Sequence, residues 1–168
     1  MLTLPWLAAC SVYDLRSRTV PSWLSIPPLL GAIVWIAWQD RWAVSLFVLT
    51  LLFLDDLPWR MRDFLAGLQG ILLYFAWQQA GWNAAGLGFA LLLIWLIWKL
   101  GAFGGADAQV LMTLALIYQP AILLPIAVAC GIQGLIQRVR GKSTLPAMLA
   151  ILTGAGVHIL SAYLQNIS

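Results

Sequence analysis

The chain predicts an all-α protein, a polytopic transmembrane bundle of about eight segments (six possible), forming a single integral-membrane domain over residues 1–168. Three observations predict this. The residues are 62% hydrophobic and 9% charged, with no glutamate and a mean hydropathy of +0.92, which is more apolar surface than a soluble chain of this length could bury. Long apolar runs recur along the chain. The breaks between them are short and rich in glycine, proline, asparagine and charge, which is turn chemistry rather than strand alternation.

The first segment, Leu2 to Tyr13, lacks a basic start and leads into the charged turn "DLRSRTVPS", so it reads as a helix and not as a cleavable signal peptide. Ser22 to Trp38 follows, closed by "QDR"; Trp42 to Leu57 is closed by "DDLPWRMRD". Phe64 to Ala80 and Ala84 to Trp98 meet at "GWNAAG", and "KLGAFGG" precedes Ala106 to Tyr118. "YQP" then leads into Ala121 to Ile136, and "RVRGKS" into Thr144 to Leu164. Several runs fall short of the roughly 20 residues that cross about 30 Å of hydrocarbon, so the helices are expected to extend into the flanking turns. Tryptophans gather near the segment ends, where an indole suits the headgroup layer.

Charge gives the orientation. With "DLRSRTVPS" on the cytoplasmic side, strict alternation collects Arg16, Arg18, Arg60, Arg62, Lys99, Arg138, Arg140 and Lys142 on that side and leaves Arg41 outside. Both termini then lie outside. The net charge of +3 is small and its cations flank apolar runs, so lipid is the expected partner and nucleic acid is not. Cys10 and Cys130 sit inside apolar runs with no further ligand at metal spacing, which indicates packing residues and no metal site. His158 reads as a neutral imidazole bonded to a neighbouring helix, and Lys99 as a snorkelling cation. Asp55 and Asp56 share a turn with Arg60, Arg62 and Asp63 and read as a solvated, self-neutralising loop. The pairs Gly154 and Gly156, Gly67 and Gly70, and Gly86 and Gly88 read as close helix contacts.

Two acids remain. Asp14 ends the first segment and Asp107 opens the sixth, and the same alternation puts both at the inner face. Each has a bland reading: Asp107 as the N-cap of a helix after "GGA", and Asp14 as a headgroup-level ion pair with the neighbouring arginines. Two carboxylates at one depth, each beside glycines or a proline, are also what a water-activating acid dyad requires.

"SVYDLRSRTVPSWLS" and "GGADAQVLMTLAL" resemble the two aspartate motifs of the type IV prepilin peptidases, the second being their GxGD signature. Asp14 takes the first position, followed by Val20 and Pro21; Asp107 takes the second, preceded by Gly104, Gly105 and Ala106. Ala106 stands where the signature usually has glycine, as in the archaeal, preflagellin-peptidase-like short members, and Gln109 where lysine is common. The acids are also separated by about one extra helical hairpin. The paired-cysteine motifs of the bifunctional enzymes are missing, so no methyltransferase activity is implied.

The resemblance implies a GxGD aspartic endopeptidase of the cell membrane that needs no cofactor. It would cut the leader of a prepilin, preflagellin or pseudopilin precursor at the cytoplasmic face, with Asp14 and Asp107 as the catalytic pair. Gly101, Gly104, Gly105 and Ala106, with Pro21 and Pro146, would let an extended substrate backbone approach. Two alternatives stand beside it. "VYD" and "LPAML" echo the presenilin and signal-peptide-peptidase branch, although that branch carries its acids on consecutive helices near mid-membrane. A small proton or cation carrier could use the same two acids without any proteolysis.

Overall fold

The computed structural model describes residues 2–54, 58–101, 104–139 and 147–165, and their regular structure is all helical. Helices α1 (Thr3–Ser17), α2 (Ser22–Trp38), α3 (Trp42–Phe53), α4 (Trp59–Lys99), α5 (Gly105–Tyr118), α6 (Leu123–Val139) and α7 (Ala147–Gln165) follow in order, with a 3-10 turn at Pro120–Ile122. Asp40 (φ 59°) and Gln119 (φ 67°, ψ 169°) take positive φ in the "QDR" and "YQP" breaks; aspartate is among the residues that tolerate it best.

Helix α4 is two arms joined at a kink. Ala80 (φ −140°, ψ 20°) and Gly81 (φ 63°, ψ −148°) leave helical geometry at the start of "GWNAAG". The second arm returns along the first: a Cβ on Gly88 would run into Leu73. The helical arms therefore fall on the segments expected from sequence. Their lengths do not all follow. Helix α1 extends past Tyr13 to Ser17, but α3 stops at Phe53, and its 12 residues span only about 18 Å. Among the described residues, two helices are long and apolar enough to cross a membrane, Met61–Lys99 and Ala147–Gln165, while α2, α3 and α5 are apolar but shorter.

Helix α5 is the innermost element. Ala108 and the run from Val110 to Leu116 are buried, as expected of a helix that is apolar all round. It packs against α2, α4 and α7, while α6 lies along α7 and α3 along α4. The outer surface is apolar as well, with Trp38, Trp82, Phe64 and Leu124 each more than 70% exposed.

Polar groups tie the helices at chosen points. Pro28 lies inside α2 and has no N–H, so the carbonyl of Leu24, four residues earlier, loses its helical partner. The Trp6 indole donates to that carbonyl at 2.8 Å, joining α1 to α2. The hydroxyls of Thr3 and Tyr118 bond at 2.8 Å and join the start of α1 to the end of α5. Buried Ser25 donates to Gln109 Oε1 at 2.7 Å, tying α2 to α5.

The glycine pairs divide. A Cβ on Gly154 of α7 would lie 2.6 Å from the Ile126 nitrogen and 2.7 Å from the Pro125 oxygen, so α6 and α7 touch backbone to backbone there. Gly88 is also a close contact, but Gly67, Gly70, Gly86 and Gly156 have open space and do not fill the role expected of them. The His158 ring makes no hydrogen bond to another helix among the described residues, so that expectation is corrected too. Asp55 and Asp56 lie outside the described residues.

Candidate active site

The last turn of α1 carries Asp14, and the helix ends because Arg18 turns left-handed (φ 57°), its N–H closing on the Asp14 carbonyl at 3.0 Å. Side chains hold this turn. Ser17 Oγ lies 2.9 Å from both the Tyr13 and the Thr19 carbonyl oxygens and donates its one hydrogen to either, and Thr19 Oγ1 donates to Ser17 Oγ at 3.3 Å. The chain then runs extended through Pro21, the N-cap of α2 (ψ 141°).

Asp107 sits opposite, in the first turn of α5. It is not the N-cap expected of it. Gly104 holds that position, and Asp107, three residues on, reaches back so that Oδ2 accepts from the Gly104 N–H at 3.1 Å. The bond satisfies one of the donors that every helix start leaves without a partner.

Asp14 meets the same need for a different helix. Its Oδ2 accepts the Met148 N–H at the start of α7, at 3.3 Å. Ser11, one turn earlier on α1, has its Oγ 3.1 Å from the Met148 carbonyl oxygen, so α1 grips both backbone groups of one residue. The expected ion pair with neighbouring arginines is not formed. An Asp and an Arg four residues apart normally face each other on a helix, but the left-handed turn at Arg18 interrupts that geometry.

Together these elements enclose a cleft of about 250 Å³. One wall is Asp14, Arg18, Thr19 and Val20, and the other is Gly104, Gly105, Ala106 and Asp107. The two carboxylates interact electrostatically, and Cys130 on α6 lies within electrostatic range of Asp107. A Cβ on Gly104 would lie 3.2 Å from Asp107 Oδ2, so glycine here leaves the folded-back carboxylate uncrowded. Gly105 has only ordinary contact with Trp98, at 3.6 Å. The larger cavities are of another kind: the groove of about 540 Å³ between α6 and α7 is lined mostly by Leu, Ile, Val and Ala and brings no acids together.

Of the residues expected at the site, Asp14, Asp107, Gly104, Gly105 and Ala106 line the cleft. Gly101 sits just before it with φ 76°, a conformation that favours glycine, but does not line it. Pro21 is also outside the lining and sets the direction of the chain beyond Val20. Pro146 lies outside the described residues. Gln109, at the position where lysine is common, is engaged with Ser25.

Sequence reasoning missed Met148, Ser11 and Arg18 as site residues. No local signal marks the first two, since their role depends on contacts with residues more than 130 positions away. Arg18 had a signal, its place four residues after Asp14 in a turn ending in proline. Among the described residues, no three His, Cys, Asp or Glu groups converge as a metal site would require. Set against family models, curated proteins and solved structures, the chain matches none of them.

Proposed function

We propose that this protein is a polytopic membrane aspartic endopeptidase of the prepilin-peptidase type, which removes the leader of prepilin-like, preflagellin-like or pseudopilin precursors at the cytoplasmic face. One observation carries the reading: Asp14 and Asp107, far apart in sequence, line one small cleft.

The reaction calls for one of the two carboxylates ionised and the other protonated. The ionised member takes a proton from water, and the hydroxide so formed attacks the scissile carbonyl carbon. The protonated member donates to the carbonyl oxygen, giving a neutral tetrahedral diol. Collapse returns the proton to the leaving nitrogen and re-forms the carbonyl as a carboxylic acid. The narrow wall at Gly104 and Gly105 supports approach of an extended peptide, because a helical substrate would keep its peptide bonds turned inward.

Membrane placement is supported by the apolar exterior and by two helices long enough to span. The position of the acids supports the prepilin branch over the presenilin branch: Asp14 is in a last helical turn and Asp107 in a first, not mid-helix. Incubation of the reconstituted protein with a synthetic prepilin-like precursor should release the leader. Asp14→Asn and Asp107→Asn should each abolish release, and cleavage retained by either would sink the assignment. Ion flux in vesicles without proteolysis would instead establish the carrier. Cysteines placed at Ser17 and Asn83 should label from opposite sides of the membrane.

A further inference from the structure

We propose that the apolar crevice between α4 and α6 receives the apolar segment of the precursor that adjoins the scissile bond, entering side-on from the bilayer. The inference rests on the peptidase reading and deepens it by naming where the membrane portion of the substrate docks.

The crevice, of about 300 Å³, lies between the second arm of α4 and the first half of α6, with α5 and α7 behind it. Packing leaves it open: α4 packs on α5 and α6 on α7, but α4 and α6 do not pack along each other. Small side chains keep it empty, Ala90 on one wall and Ala127 and Cys130 on the other. Leu111 and Ile151 are buried and close its floor, while Leu93, 41% exposed, and exposed Ala127 leave its mouth open.

Its inner end adjoins both walls of the acid cleft. Leu111 lies one turn after Asp107 on α5, and Ala147 precedes the Met148 whose N–H binds Asp14. Ile97 precedes Trp98, which a Cβ on Gly105 would meet at 3.6 Å, and Cys130 is within electrostatic range of Asp107. The larger groove between α6 and α7 uses other residues of α6 and takes no lining residue from α4 or α5, so it does not reach the Asp107 wall.

These neighbours decide the occupant. The lining is hydrocarbon apart from the Cys130 thiol, so only an apolar guest gains by entering. A guest that fills the crevice and also reaches the acids carries a peptide bond directly beside its apolar part, which a lipid acyl chain does not. From Ala90 to Ile97 is about 10 Å along α4, and a helix with its side chains is about 10 Å across, so the crevice seats one face of about two helical turns and not a whole helix. Seating that face fixes the register of the chain, and the extended peptide bond beside it falls between Asp14 and Asp107.

The test uses full-length protein in phosphatidylcholine vesicles and two synthetic precursors, one with large apolar residues in the two turns after the scissile bond and one with alanine at those residues. For the wild type, kcat/KM for the first should exceed that for the second by about tenfold. The ratio, taken within each variant, should fall to near one in Ala127→Phe, which fills the crevice from an exposed position. It should stay near the wild-type value in Val128→Phe, which crowds the α6–α7 groove instead. In Asp107→Asn, a precursor with cysteine in the first turn after the scissile bond should form a disulfide with Cys130 under copper phenanthroline, and none with buried Cys10. Should Ala127→Phe cleave neither precursor, the disulfide decides alone. Equal cleavage of both precursors by the wild type, an unchanged ratio in Ala127→Phe, or no disulfide with Cys130 would each overturn the proposal and leave the peptidase standing, with the crevice a lipid site. Cleavage of neither precursor by the wild type would overturn the peptidase reading and this proposal with it.

Discussion

Asp107 and Asp14 do the same chemical job by opposite routes: the first accepts an N–H of its own helix start three residues away, and the second accepts an N–H of α7, which begins at the other end of the sequence. Both carboxylates thereby sit at helix N-termini, where free donors and the positive end of the helix dipole favour negative charge. For Asp107 that placement is local, made within three residues of its own helix. For Asp14, which lies near the end of α1, it exists only while α7 is docked. One wall of the cleft is thus built by its own helix and the other by packing between helices.

Substitution of either acid tests whether the two walls serve one reaction. Asp14→Asn and Asp107→Asn should each lower leader cleavage by about 10³-fold or more, measured by release of a labelled leader, because half a dyad cannot both give and take the proton. Unequal losses, with one variant keeping near-normal rates, would break the pairing.

The next effect sharpens the contrast between local and packed support. Gly154→Ala forces a Cβ onto the backbone of α6 and should cost about 1–3 kcal/mol in unfolding free energy, since neither partner is a flexible side chain. It should also lower cleavage, because α7 carries Met148 to Asp14. Gly156→Ala has open space around it and should be neutral or raise thermal stability slightly in detergent. Equal effects of the two would show that the contact of α6 with α7 does not position the site.

Ser11→Ala comes third. It removes the hydroxyl beside the Met148 carbonyl and should cost about 1 kcal/mol, with a few-fold loss of cleavage from the Asp14 wall. Smallest is Gly104→Ala, whose Cβ would sit 3.2 Å from Asp107 Oδ2, where a shift of a few tenths of an ångström relieves the crowding. A decrease in cleavage without a change in melting temperature is expected, and it should exceed that of Gly105→Ala.

Much of the architecture could be read in the sequence because the signals are local. Apolar runs broken by "QDR", "GWNAAG" and "YQP" locate the helices, and the positive-φ residues Asp40, Gly81 and Gln119 fall inside those breaks. The segment expected over Trp42 to Leu57 overran: α3 ends at Phe53, two residues before the adjacent acids Asp55 and Asp56, which break the apolar run. At the site, the acids and the glycines of "GGAD" stood out by residue type and spacing. The role of Asp107 shifted by three positions within its turn, a distinction that depends on backbone dihedrals rather than on residue identity.

By itself the sequence determined an all-helical, strongly apolar chain with two acids at segment ends, since hydrophobic periodicity and turn residues act over a few positions. Only the tertiary structure decided that Asp14 would meet α7 instead of its neighbouring arginines, and that it would share one cleft with Asp107. The physical reason is range. A hydrogen bond such as Met148 to Asp14 joins positions separated by most of the chain, and it forms only after the packing of α1, α6 and α7 has brought those backbones together.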